Sequence, residues 1–99
     1  MSKTTLRGVA HLVALPNKLE ELKLVLIDMV KPTRQELGCI QYELLQNHEE
    51  PTGFVFIEQW ESKALLNAHL DSPHISEAER KMDGLLAALP KIRLYHLLT

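Results

Sequence analysis

The sequence predicts an α+β fold in which helices lie on one antiparallel sheet, and three observations lead to it. Four runs rich in β-formers, at 6–15, 39–47, 53–60 and 92–98, alternate with stretches whose apolar residues recur every three or four positions. The two middle runs are joined by the polar loop His48-Glu49-Glu50-Pro51-Thr52, which has the character of a hairpin connection. Gly38, Ser62 and Ser72-Pro73 stand at the junctions between elements, where helix stops and caps belong.

Leu6 to Leu15 is rich in Val, Leu and Ala and ends at Pro16, so it reads as a strand covered on both sides for much of its length. Asn17 with Glu20 three residues later has the spacing of a capping box. In the helix that follows, Leu19, Leu22, Leu26, Met29, Val30, Thr33 and Leu37 share one stripe, and Pro32 inside it predicts a kink. Gly38 should stop this helix in the left-handed region. Cys39 to Asn47 and Gly53 to Trp60 should then pair antiparallel. On the second of these strands Phe54, Phe56, Glu58 and Trp60 share a face, with Val55, Ile57 and Gln59 on the other.

Ser62 caps a short helix through Leu70, and Pro73 opens another, where its missing N–H costs little. Ile75, Ala78, Met82, Leu85 and Leu89 extend the apolar stripe of this second helix to Pro90, and Ile92 to Leu98 forms the last strand. The order β-α-β-β-α-β is the ferredoxin-like split βαβ arrangement with an antiparallel sheet, in a single domain over residues 1–99.

Composition narrows the function classes. With 45% hydrophobic and 24% charged residues the chain can fold, and at 99 residues it leaves apolar surface that a homodimer would cover. A net charge of -2 without a run of Lys or Arg speaks against nucleic acid. No stretch nears the ~18 apolar residues of a membrane span, and Met1-Ser2-Lys3-Thr4-Thr5 lacks a signal-peptide pattern, so a cytoplasmic protein is expected. The one cysteine, Cys39, cannot form an internal disulfide and reads as a small buried apolar residue.

Five residues fall where sheet and helices should meet: Tyr42, Glu58, Trp60, His69 and His74. Polar groups there need partners or a cavity. Glu58, mid-strand beside Phe56 and Trp60, either moves a proton as a buried carboxyl or pairs with a neighbour and orders the site. His69 follows Leu65 by one helical turn and can face the same space as the indole, as a proton acceptor or as a histidine bonded to backbone. His74 falls in the first turn after Pro73, and Trp60 is either a wall for a planar ligand or a filler of the core. His11, His48 and His96 show no grouping. His69 and His74 are five apart with a break between them, so their spacing does not suggest a metal site. No GxGxxG, phosphate loop or cysteine cluster is present, and no cofactor is expected.

The segment Glu36-Leu37-Gly38-Cys39, then Tyr42, then Phe56-Ile57-Glu58-Gln59-Trp60-Glu61-Ser62, Ala68-His69-Leu70 and Ser72-Pro73-His74 resembles the signature of the antibiotic biosynthesis monooxygenase family, in particular its short quinol monooxygenase branch. The resemblance implies a dimeric α+β barrel with a cavity between sheet and helices in each subunit. It also implies oxygenation of phenolic or quinol-like substrates by molecular oxygen with neither metal nor flavin. Trp60 and His69 match family positions facing the cavity, with Tyr42, Phe56, Glu58 and His74 as neighbours. No Asn lies between Leu6 and Leu15, which disfavours the haem-degrading relatives.

The expectation is therefore a cofactor-independent monooxygenase acting on a small aromatic compound. His69, Trp60 and Glu58 are its catalytic residues; Tyr42, His74 and Phe56 bind substrate. Two rivals remain open. One is an isomerase or aldolase-like enzyme for a phosphorylated carbonyl compound, for which Arg7, Arg80 and Arg93 would have to line the cavity. The other is a dimeric ligand-binding or stress-response module without turnover.

Overall fold

The computed structural model describes residues 5–99; residues 1–4, which the sequence reading runs straight into the first strand, lie outside the described residues. The elements are β1 (Leu6–Val13), a 3-10 turn (Pro16–Lys18), α1 (Leu19–Arg34), β2 (Cys39–Gln46), β3 (Gly53–Trp60), α2 (Lys63–Leu70), α3 (Pro73–Met82) and β4 (Lys91–Tyr95). They form one sheet in the order β2-β3-β1-β4 with every neighbouring pair antiparallel, which is the expected ferredoxin-like α+β fold.

Period-two alternation decides which face the helices cover. Leu6, Ala10 and Leu12 of β1 and Phe54, Phe56, Glu58 and Trp60 of β3 are buried, and Leu22, Leu26, Met29 and Thr33 of α1 close over the same side. The opposite face of β1 is only half-buried or exposed, so within one copy of the chain the strand is covered on one side. Register then fixes the polar groups: Tyr42 of β2 stands directly across from Glu58 of β3, and a bulge between Cys39 and Gln41 re-aims the start of β2.

Several boundaries differ from the sequence reading. Pro16 starts a 3-10 turn early, which draws Asn17 into that turn and leaves Lys18 at the head of α1 with no side-chain cap, so the capping box does not form. Pro32 lies within the last turn of α1, and Leu37 falls beyond the end of the helix and is 80% exposed. Gly38 ends the following turn with φ +87°, and a Cβ there would stand 2.8 Å from Cβ of Leu65, so both conformation and space require glycine. Ser62 does cap α2, accepting from the N–H of Leu65.

The α3 stripe stops at Met82 because Asp83 leaves the helical region and Gly84 turns with φ +81°. The chain then runs beside the end of β1 through the Ala14–Leu86 bridge, which leaves Leu89 exposed. The last strand closes at Tyr95, paired with Arg7, because the next residue has only the first residue of β1 left opposite it. None of the helices is long and apolar enough to cross a membrane among the described residues.

Candidate active site

Three helix ends meet above β2 and β3. The chain leaving α1 brings Glu36, the last turn of α2 brings His69, and the first turn of α3 brings His74. Ser62 holds the head of α2 to the end of β3, so that His69 comes down on the aromatic face of the sheet. Its ring centroid lies 4.6 Å from that of Trp60 and 5.5 Å from that of Tyr42, the latter edge-on. Tyr42 in turn stacks on Phe56 at 4.8 Å.

Beneath this cluster a cavity of about 210 Å3 opens between the sheet and α3. Tyr42, Phe56, Glu58 and His69 line it together with Met29 and Ile75, and the wall is mostly apolar. Its volume exceeds the ~150 Å3 that suffices for a benzene ring. On the far side it reaches Pro90 and Ile92 at the start of β4, whose five residues are all exposed.

Two carboxylates treat this space differently. Glu58 is buried, and its Oε1 accepts the indole N–H of Trp60 at 2.8 Å. Burial pushes its carboxyl above the usual carboxylate range, Trp60 and His69 pull it back in part, and Glu36 adds to the rise. Glu36 instead accepts from both imidazoles: its Oε2 lies 2.6 Å from Nδ1 of His69 and 3.1 Å from Nε2 of His74. A carboxylate only accepts, so the short contact places the His69 proton on Nδ1 and leaves Nε2 with a lone pair. The hydroxyl of Thr33, fully buried, lies 3.1 Å from Nε2 of His74 and also bonds Tyr42.

The neighbouring acids are held protonated. The Tyr42 hydroxyl is driven far above the ordinary phenol range, by burial first and by Glu58 next, against the bond from Thr33. Burial, Glu36 and Glu58 likewise raise the Cys39 thiol against the pull of Arg34, so Cys39 is not poised as a thiolate nucleophile.

Of the residues singled out in the sequence, Tyr42, Phe56, Glu58 and His69 come together on the cavity wall. Trp60 does not: it is 0% exposed, stands behind Glu58 and His69, and forms no wall for a planar ligand. Its large ring is consumed by the core, and its N–H by Glu58. His74 also misses the cavity; it lies against Glu36, Thr33 and a separate shallow hollow lined by Met29 and Lys81. Glu36 carries no site signal of its own in the sequence, although it opens the family-like stretch Glu36-Leu37-Gly38-Cys39; its partners are 33 and 38 residues away, beyond the reach of local spacing.

The cationic lining that a phosphorylated ligand needs is not there. Among the described residues on the cavity wall none is Lys or Arg. Arg7 and Arg93 belong to the sheet face without helices, and Arg80 pairs with Glu77 on α3.

Comparison with known proteins bears on the fold and the family. The profile of the family described as antibiotic biosynthesis monooxygenase matches residues 7–81. Protein sll1783 of Synechocystis is 34% identical over 81% of this chain, which spans 54% of that protein's length, or about half of it. YcnE of Bacillus subtilis, provisionally named a monooxygenase, is 30% identical, with 80% of this chain and 83% of YcnE covered. The crystal structure of PA3566 from Pseudomonas aeruginosa superimposes with a TM-score of 0.93 at 33% identity, covering 100% of this chain and 99% of that one. Fold, motif order and aligned length converge, and the chain belongs to the antibiotic biosynthesis monooxygenase family.

Proposed function

We propose that the chain, whose family gives it a monooxygenase-like function, oxidises a small phenolic or quinol-like compound with molecular oxygen and no bound cofactor. The observation that carries this reading is His69 on an apolar cavity wall with Nδ1 fixed to Glu36. In that tautomer Nε2 is a lone pair facing the ligand, suited to accept a phenolic proton. Tyr42, kept protonated by its surroundings, serves as a hydrogen-bond donor that orients the ring, and Glu58, whose carboxyl burial pushes upward, is its polar neighbour on the wall. Phe56 gives it an apolar floor.

The electron count closes without a reductant. His69 takes the proton, the resulting anion passes one electron to O2, the two radicals join as a C–O bond, and the peroxide anion so formed takes the proton back from His69 as a hydroperoxide. Loss of water from the hydroperoxide leaves a carbonyl, so one oxygen atom enters the product and the other becomes water. The substrate supplies all four electrons. A largely dry pocket favours this sequence by keeping the radical pair from solvent.

The reading places the protein in a reducing cytoplasm, where Cys39 stays a thiol, and makes it a homodimer. The sheet face without helices carries Val9, Leu45, Val55 and Ile57, apolar groups that a second sheet would cover.

Oxygen uptake with naphthols, anthrone-like compounds and hydroquinones tests it. Uptake should survive a chelator and fall about 10²- to 10⁴-fold in His69→Ala, the span typical of a removed general base. Silence of the folded wild type across the panel would leave a ligand-binding module as the better account.

A further inference from the structure

The meeting point of α1, α2 and α3 gathers three side chains of the kind that hold transition metals. Glu36 Oε2, His69 Nδ1 and His74 Nε2 all lie within 4.8 Å of one another. Two imidazoles and one carboxylate are a donor set suited to zinc, cobalt, nickel or iron(II), with positions left for water. The hydroxyls of Thr33 and Ser72, at 3.1 and 3.4 Å from His74 Nε2, stand ready to support that ligand. The C-termini of α1 and α2 favour a cation here, offset in part by the N-terminus of α3, which carries His74.

We propose that Glu36, His69 and His74 form a binding site for one divalent transition-metal ion. Donors around such an ion stand roughly 3.3 Å apart when each bond is about 2.0–2.1 Å. The pairs at 2.6 and 3.1 Å therefore open by less than about 1 Å, and the two imidazole nitrogens, within 4.8 Å of each other, close by at most about 1.5 Å, within side-chain torsions. Access is from the solvent side, because Glu36 and His74 are 19% and 26% exposed while His69 is 3%. The ion takes the place of the protons that Glu36 now shares with the two rings.

Glu36 and His74 are not on the cavity wall, so the ion stands across the His69 ring from the cavity. Metal on Nδ1 moves the ring proton to Nε2, and His69 then presents an N–H to the cavity instead of a lone pair. Metal binding should therefore silence the base. That consequence rests on the function proposed above; the binding does not.

The test is calorimetric titration of Zn2+ into the full chain after chelator treatment and buffer exchange, repeated with Co2+ followed by its visible absorption. We expect one saturable equivalent, weakened in Glu36→Ala and His74→Ala by more than the roughly 10- to 100-fold that losing a mere supporting residue brings. His11→Ala, His48→Ala and His96→Ala should bind as wild type. Thermal melting of each variant guards against loss of fold. Long-range 1H–15N spectra should show the His69 proton moving from Nδ1 to Nε2 as Zn2+ is added. No saturable uptake overturns the proposal, as does uptake indifferent to Glu36→Ala and His74→Ala, which is an adventitious ion only. Oxygen-uptake activity enters none of these readouts, so failure here leaves the oxygenase reading intact.

Discussion

β3 and β4 flank β1 on its two sides and pair with it in the same antiparallel sense, yet they are finished to different degrees. Every residue of β3 on the helix side is buried, and its one charged group is bonded to the one indole in the chain. Every residue of β4 is exposed, including Ile92 and Leu94, which lie on the helix side across from Ala10 and Gly8. The helices cover three strands and stop. The cavity thus has a built wall at β3 and an open one at β4, and an apolar edge of this kind calls for a cover that one copy of the chain does not supply.

The difference can be broken from the β3 side. Trp60→Ala empties the largest fully buried side chain and strips Glu58 of its donor. We expect a loss of about 3–5 kcal/mol in urea unfolding. Gly38→Ala forces a residue with Cβ into a left-handed conformation against Leu65. It should cost about 1–3 kcal/mol from conformation, with crowding added.

Glu58→Gln sharpens the contrast through pH. The folded carboxyl titrates above its unfolded value, so the folded state holds the proton more tightly. Its contribution is fully present below the unfolded value near ~4.3 and is lost as pH rises through the folded one. Wild type should therefore lose stability relative to Glu58→Gln as pH climbs through that window. A constant difference between the two would mean that burial does not disfavour the ionised carboxyl.

On the β4 side, the same measurement should show little. Ile92→Glu with Leu94→Glu is expected to change monomer stability by no more than about 0.5 kcal/mol. If a second copy covers this edge, light scattering after gel filtration will instead show dimer converted to monomer.

The sequence disclosed these regions unequally, and for physical reasons. The alternation of β3 and the Ser62 cap are local, so the Glu58 face and the landing of α2 were legible. The apolar spacing of α3 continued past its true end because Leu85 and Leu86 are indeed drawn to the core, though as part of an irregular segment that Gly84 turns away from the helix. Local spacing leaves Trp60 open between ligand wall and core, because a large aromatic beside a candidate base suits both, and only its complete burial in the fold decides for the core. The Glu36 cluster was hidden because its three members come from three elements, and the interval between His69 and His74 says nothing of a carboxylate far upstream.

Glu58 and Trp60 are two residues apart on one strand, so their bond comes with β3 itself and survives any motion that leaves the hairpin intact. The bond between His69 and Glu36 spans 33 residues and lasts only while α1 and α2 stay docked. Fraying of the short helices would part the imidazole from Glu36 before it disturbed the bond within β3, with hydrogen exchange faster in α2 and α3 than in the β2–β3 hairpin as the outward sign.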